Sequence, residues 1–89
     1  MTPTQRADWL ALLHAEVPGF EWRAVSALYP VFQGKGPGGF VLWLDRSGGG
    51  WKVRLNRNYD RVDALHKAGT YEIRQLLRKH DLLNPDHTY

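Results

Sequence analysis

The stretch FVLWLDRSGGGWKVRLNR, residues 40–57, decides the fold. Two runs of alternating apolar and polar residues flank Ser47-Gly48-Gly49-Gly50, and a period of two broken by glycines is the mark of a β-hairpin. The pattern predicts a strand over 40–46, a turn over 47–50 and a strand over 51–57. Folding the chain about that turn sets Leu44 opposite Val53, Leu42 opposite Leu55, Asp45 opposite Lys52 and Trp43 opposite Arg54. One face then carries Phe40, Leu42, Leu44, Trp51, Val53 and Leu55, and belongs in a core. The other carries Val41, Trp43 and Asp45 against Lys52, Arg54 and Asn56. A slip of one residue would exchange the two faces, and the apolar count argues against it.

Upstream, Thr2-Pro3-Thr4-Gln5 has the form of a helix start. Thr2 can cap, Pro3 suits the first helical position, and Gln5 closes a capping box. Trp9, Leu10, Leu13 and Val17 share one helical face, and Pro18-Gly19 stops the helix, so residues 3–16 are predicted as a helix with Trp9 and Leu13 in the core. Residues 20–33 fit two patterns. Phe20, Trp22 and Ala24 alternate, while Val25, Leu28, Tyr29 and Phe32 fit a helical face that Pro30 interrupts. An extended segment broken near Pro30 is the preferred reading. Residues 34–39 are expected to be loop.

Downstream, Asp60 is expected to cap a short helix running to Ala68, with Val62 and Leu65 facing inward and Gly69 as its stop. Thr70 is expected to cap a last helix whose inner face holds Ile73, Leu76, Leu77 and His80. Arg74, Arg78 and Lys79 project from its other side, and residues 83–89 read as a frayed tail. The fold class is therefore α+β. About three antiparallel strands are packed by the N-terminal and C-terminal helices, in α-β-β-β-α-α order, as a single domain over residues 1–89.

Composition bounds the chemistry. Eighty-nine residues make a small core, and the chain has no cysteine, so neither a disulfide nor a thiolate is available. The four tryptophans and three phenylalanines supply the apolar bulk instead. The start of the chain lacks the apolar core of a signal peptide, no run is long enough to span a bilayer, and a cytoplasmic location is the default expectation. The net charge of +3 is unevenly placed. Residues 1–45 sum to −1, with Arg6, Arg23 and Lys35 against Asp8, Glu16, Glu21 and Asp45. The remainder carries nine Lys and Arg against five Asp and Glu. Such a basic half suits a polyanion, although a solvated surface of mixed charge has the same composition.

Gly34, Gly36 and Gly39 spell G-x-G-x-x-G, but the run leads into a strand rather than a helix and so lacks the helix N-terminus that a dinucleotide needs. The hairpin face with Trp43, Lys52 and Arg54 carries more: cations for phosphate beside a flat ring for a base. The same residues also read as a stabilising cross-strand pair, Arg54 over Trp43, with Asp45 neutralising Lys52. His14, His66, His80 and His87 show no metal-ligand spacing, and no cofactor is implied. His66 could serve as a general base only in an unusual ribonuclease.

Gly69-Thr70 followed by IRQLLRKHDL, residues 73–82, resembles the closing segment of HicA-type mRNA interferase toxins. Those are small proteins of double-stranded-RNA-binding-like fold, helix, three strands, helix. The resemblance implies that order of elements and contact with RNA. It carries over no catalytic residue, because the histidine-bearing stretch of that family has here Gly34-Lys35-Gly36-Pro37 in its place. The Gly-Thr pair is also displaced by two residues relative to the helix.

The functional expectation is a small non-catalytic domain of bacterial or phage type that binds nucleic acid, RNA ahead of DNA. Lys35, Lys52, Arg54, Arg74 and Arg78 would supply charge and Trp43 a stacking surface. The alternatives are a protein-interaction module or regulator working as a homodimer, and a HicA-like ribonuclease. No metal or membrane partner is expected.

Overall fold

The computed structural model describes residues 1–83. Helix α1 (Pro3–Glu16) leads into five strands, β1 (Glu21–Ala24), β2 (Val31–Lys35), β3 (Phe40–Ser47), β4 (Gly50–Arg57) and β5 (Asp60–Ala68), and helix α2 (Thr70–Lys79) follows. The strands form one antiparallel meander in the order β1-β2-β3-β4-β5. Both helices contribute to one apolar cluster on one side of this sheet, and no helix among the described residues covers the other side.

Helix α1 starts as its sequence dictates. The Gln5 backbone N–H donates to the Thr2 hydroxyl at 3.1 Å, and the Thr2 N–H donates to the Gln5 side-chain carbonyl at 2.8 Å. Leu13 is fully buried and Trp9 packs against the core from its margin. The β3–β4 register is the expected one, Leu42 to Leu55, Trp43 to Arg54, Leu44 to Val53 and Asp45 to Lys52. The turn is tighter than four residues. Gly48 and Gly49 alone connect the strands with φ of 65° and 84°, left-handed values that glycine adopts without strain and that match the twist of a hairpin. Trp51 fills the centre of the core, its ring edge-on to Trp9 at 5.2 Å and to Phe32 at 6.1 Å. The Arg46 guanidinium lies over both Trp9 and Trp51, at 5.4 and 5.3 Å, and closes that end of the core with a cation–π sandwich.

The sheet has five strands where the sequence pattern predicts about three. Residues 20–33 hold β1 and most of β2, joined by a loop over 25–30 that contains Pro30. β2 also extends into the glycine-rich stretch expected to be loop. Gly34 lies beneath the Trp22 ring, where a Cβ would meet the ring carbons at 2.7 Å, so this strand glycine is a packing requirement. Trp22 in turn donates its indole N–H to the Val17 carbonyl at 3.1 Å, tying the end of α1 to the first strand.

Residues 60–68 are β5, not a short helix. Asn58 and Tyr59 take left-handed φ values of 50° and 73°, and this two-residue turn folds the chain back along β4. Val62 is exposed, and Leu65 packs against the core opposite Val53. Gly69 is consequently no helix stop. It occupies the cap position of α2 in place of Thr70, and its N–H donates to the Glu72 carboxylate at 3.1 Å. Helix α2 buries Ile73, Leu76 and Leu77, and the chain behind it buries Leu82 and Leu83. Leu83, expected in a frayed tail, thus belongs to the core. The rest of that expected tail, residues 84–89 with His87, lies outside the described residues.

Candidate functional site

Alternation along five paired strands gives the uncovered side of the sheet two cross-strand rows. One runs Arg23, Gln33, Trp43, Arg54 and Ala64, each the register partner of the next. The other runs Glu21, Lys35, Val41, Asn56 and Arg61. Val31, Asp45 and Lys52 continue the surface at one end, where His66 joins them.

Trp43 is the one large aromatic of this face within the strands. It is half-buried by its neighbours rather than sealed, and the Arg54 guanidinium lies 5.5 Å from its ring centre. Arg23 donates its Nε–H to the Gln33 side-chain carbonyl at 2.7 Å. Two depressions adjoin the indole. The first, of about 280 Å³, is bordered by Asp45, Lys52, Arg54, Arg61 and His66, with the small Ala64 leaving room between strands. The second, of about 430 Å³, is bordered by Gln33, Lys35, Asn56, Asn58 and Tyr59. The Asn56 side-chain oxygen is shielded from solvent and accepts no hydrogen bond among the described residues.

The cations of this face are Arg23, Lys35, Lys52, Arg54 and Arg61, and its carboxylates are Glu21 and Asp45. Among the described residues no ion pair within 4.0 Å forms here, and Lys52 does not reach its register partner Asp45. The ion pairs lie on the helix side. Arg74 meets Glu16 at 3.8 Å and Lys79 meets Asp63 at 3.3 Å, and the His80 Nε2 is hydrogen-bonded to the same Asp63 carboxylate at 3.0 Å. The His80 hydrogen bond, aided by the Ala64 N–H and by Lys79 and opposed by partial burial, holds the Asp63 carboxyl below the ordinary carboxylate range.

The six residues expected to form one surface therefore divide. Lys35, Trp43, Lys52 and Arg54 share the uncovered face. Arg74 and Arg78 do not join them, because α2 packs on the opposite side of the sheet. Arg23 and Arg61 take their place. β5 sets Arg61 opposite Asn56 and turns it to the open face. Arg23 carries a usable signal, since its alternation with the buried Trp22 and the half-buried Ala24 puts it on the outer side. His66 sits at the rim of the first depression, exposed, with no hydrogen bond orienting its ring among the described residues.

Among the described residues no group of His, Asp and Glu is arranged to hold a metal ion, and no helix is long and apolar enough to cross a membrane. No protein-family model, curated protein or solved structure matches the chain.

Proposed function

We propose that this protein is a small nucleic-acid-binding domain that engages its ligand on the uncovered face of the sheet. The observation that supports it is a set of cations from β1, β2, β4 and β5, without an ion pair among the described residues, gathered round a half-buried indole on β3. Lys52 and its register partner Asp45 form no ion pair among the described residues, which leaves the lysine open to another anion. A polyanion is the partner that supplies the missing negative charge, and phosphate contacts release counterions when it binds. Arg54 can remain stacked on Trp43 while its N–H groups reach a phosphate, because a planar guanidinium presents donors in its own plane. Binding without cleavage is the expectation, since nothing among the described residues orients His66 as a base.

Fluorescence anisotropy with a labelled single-stranded oligonucleotide tests this reading. Engagement of three to five phosphates gives a log–log salt slope of about −2 to −3.5. Lys52→Ala with Arg54→Ala lowers the affinity and flattens that slope by about 0.7 for each phosphate no longer engaged. Arg74→Ala with Arg78→Ala leaves both unchanged. A flat salt response, or a weakening confined to the α2 variants, refutes the proposal.

A second reading rests on a different place. The β1–β2 loop exposes Val25, Leu28 and Tyr29, the latter two at 69% and 66%, as an apolar tip fit for a protein contact or a homodimer. Light scattering decides it: self-association that survives high salt and disappears in Leu28→Asp favours the loop.

A further inference from the structure

Two hairpins of the sheet turn on two residues with the same backbone sign and different side chains. Gly48 and Gly49 join β3 to β4 with φ of 65° and 84°. Asn58 and Tyr59 join β4 to β5 with φ of 50° and 73°. A turn of this kind asks for positive φ at both positions, which asparagine tolerates at the first and glycine suits at the second. A bulky residue in place of that glycine strains the backbone.

The ring at this position contributes nothing to the fold. Tyr59 is 100% exposed, and its ring meets no other ring and no cation among the described residues. The strained turn is braced from outside instead. The Asn58 N–H donates to the Gly39 carbonyl and the Arg57 Nε–H to the Gly38 carbonyl, both at 3.3 Å. The Arg57 guanidinium also lies over the Phe40 ring at 5.0 Å. Backbone outliers persist where the surroundings over-determine them, and they gather at sites that act on a ligand.

Tyr59 stands on the rim of the open-face hollow that Gln33, Lys35, Asn56 and Asn58 line. Arg54 lies over Trp43 and Arg57 over Phe40, whereas both faces of the Tyr59 ring are open to solvent. A bare flat ring at the edge of a cationic surface is what an unpaired base stacks on while its phosphates meet the cations. A duplex keeps its bases stacked on one another and presents none to such a ring.

We infer that Tyr59 is a ligand-contact residue: it stacks on one unpaired base of a single strand whose phosphates follow the cations of the open face, and the turn bears backbone strain to hold the ring there. This rests on the nucleic-acid reading above and adds to it the requirement for a base.

Fluorescence anisotropy with a labelled thymidine oligonucleotide and with its abasic counterpart, equal in length and in phosphates, tests the inference together with chemical denaturation. Tyr59→Gly is expected to weaken the base-bearing strand by about fivefold to a hundredfold, the range of one stacked base, and to leave the abasic strand's affinity unchanged. The salt slope on either strand stays that of wild type, because a stacking contact releases no counterion. The same variant denatures at a midpoint no lower than wild type, since glycine accepts a φ of 73° without strain. Tyr59→Phe keeps the affinity. Tyr59→Asn, also tolerant of this φ, repeats the loss and stands in if glycine loosens the turn. Wild-type affinity in both the glycine and the asparagine variants, or an equal loss on the two strands, overturns the inference. A lower midpoint in both variants does so as well, because it gives the ring a structural role. With a steep salt slope retained by wild type, any of these leaves nucleic-acid binding itself standing. No binding of either strand by wild type overturns both.

Discussion

Trp51 and Trp43 lie on adjacent strands of one hairpin and end in opposite circumstances. Trp51 is 1% exposed, with Trp9, Phe32 and Arg46 packed about its ring. Trp43, on the other face, is half-buried and has one cation over it. Strand parity alone sends one indole inward and the other outward. The same division runs through the charges. On the helices and just behind α2, Arg6, Arg74, Arg78 and Lys79 are balanced by Asp8, Glu16, Glu72 and Asp81, and on that side the ion pairs form. On the open face Arg23, Lys35, Lys52, Arg54 and Arg61 exceed Glu21 and Asp45 and form no ion pair among the described residues. One side of the sheet consumes its chemistry in holding the fold together, and the other leaves it available to a ligand.

The contrast is open to attack by mutation. Trp51→Ala should cost the most, about 3–5 kcal/mol in a chemical denaturation curve, because it empties the centre of a small core. A cost below about 1.5 kcal/mol would mean that the packed face is not where stability resides. Gly34→Ala should follow at about 1–3 kcal/mol, since the new methyl meets the Trp22 ring at 2.7 Å. A neutral outcome would show that the ring moves aside and that β1 packs loosely.

Asp63→Asn should cost about 0.5–1 kcal/mol near neutral pH, a figure discounted for its partial exposure. Its pH dependence has a definite sign. The folded-state carboxyl is held below its unfolded value of about 4, so the stabilisation is complete above that value and fades as pH falls through the folded one. The difference between wild type and variant in denaturation midpoint should therefore shrink below about pH 4. A difference that grows on acidification would contradict the assignment. Lys52→Ala, at an exposed position, should have the smallest effect on stability, less than about 1 kcal/mol, and the half-buried Trp43→Ala should cost about 1–2 kcal/mol, well below Trp51→Ala. Trp43→Ala should nevertheless weaken oligonucleotide binding by about fivefold to a hundredfold, the range that one stacked base commands. A large drop in stability for these two variants would return the open face to a purely structural role.

The legible and illegible parts of the chain differ for physical reasons. The capping box at Thr2 and Gln5 and the register about Gly48-Gly49 are local patterns, and both appear in the structure as the sequence predicts. Residues 60–68 mislead because Asp60-Arg61-Val62-Asp63-Ala64-Leu65 has spacing and propensity compatible with a helix. Pairing with β4 overrides that preference, and two register irregularities along the pair erase the alternation that would announce a strand. The consequence reaches the site. A strand over 60–68, rather than a helix, is what sets Arg61 opposite Asn56 and on the Trp43 side. The β2 extension is hidden for another reason: the need for Gly34 comes from the Trp22 ring on a neighbouring strand, a contact no linear pattern contains.

The central claim is that the uncovered face of the sheet, and not the helix layer, meets the ligand. Titration of isotope-labelled protein with a single-stranded oligonucleotide, followed by amide and indole proton–nitrogen spectra, addresses it most directly. The account predicts that the Trp43 indole resonance and the amides around Gln33, Lys52, Arg54, Asn56 and Arg61 shift progressively, while Trp51 and α2 stay in place. Shifts concentrated on α2, or spectra that do not change at all, would contradict it.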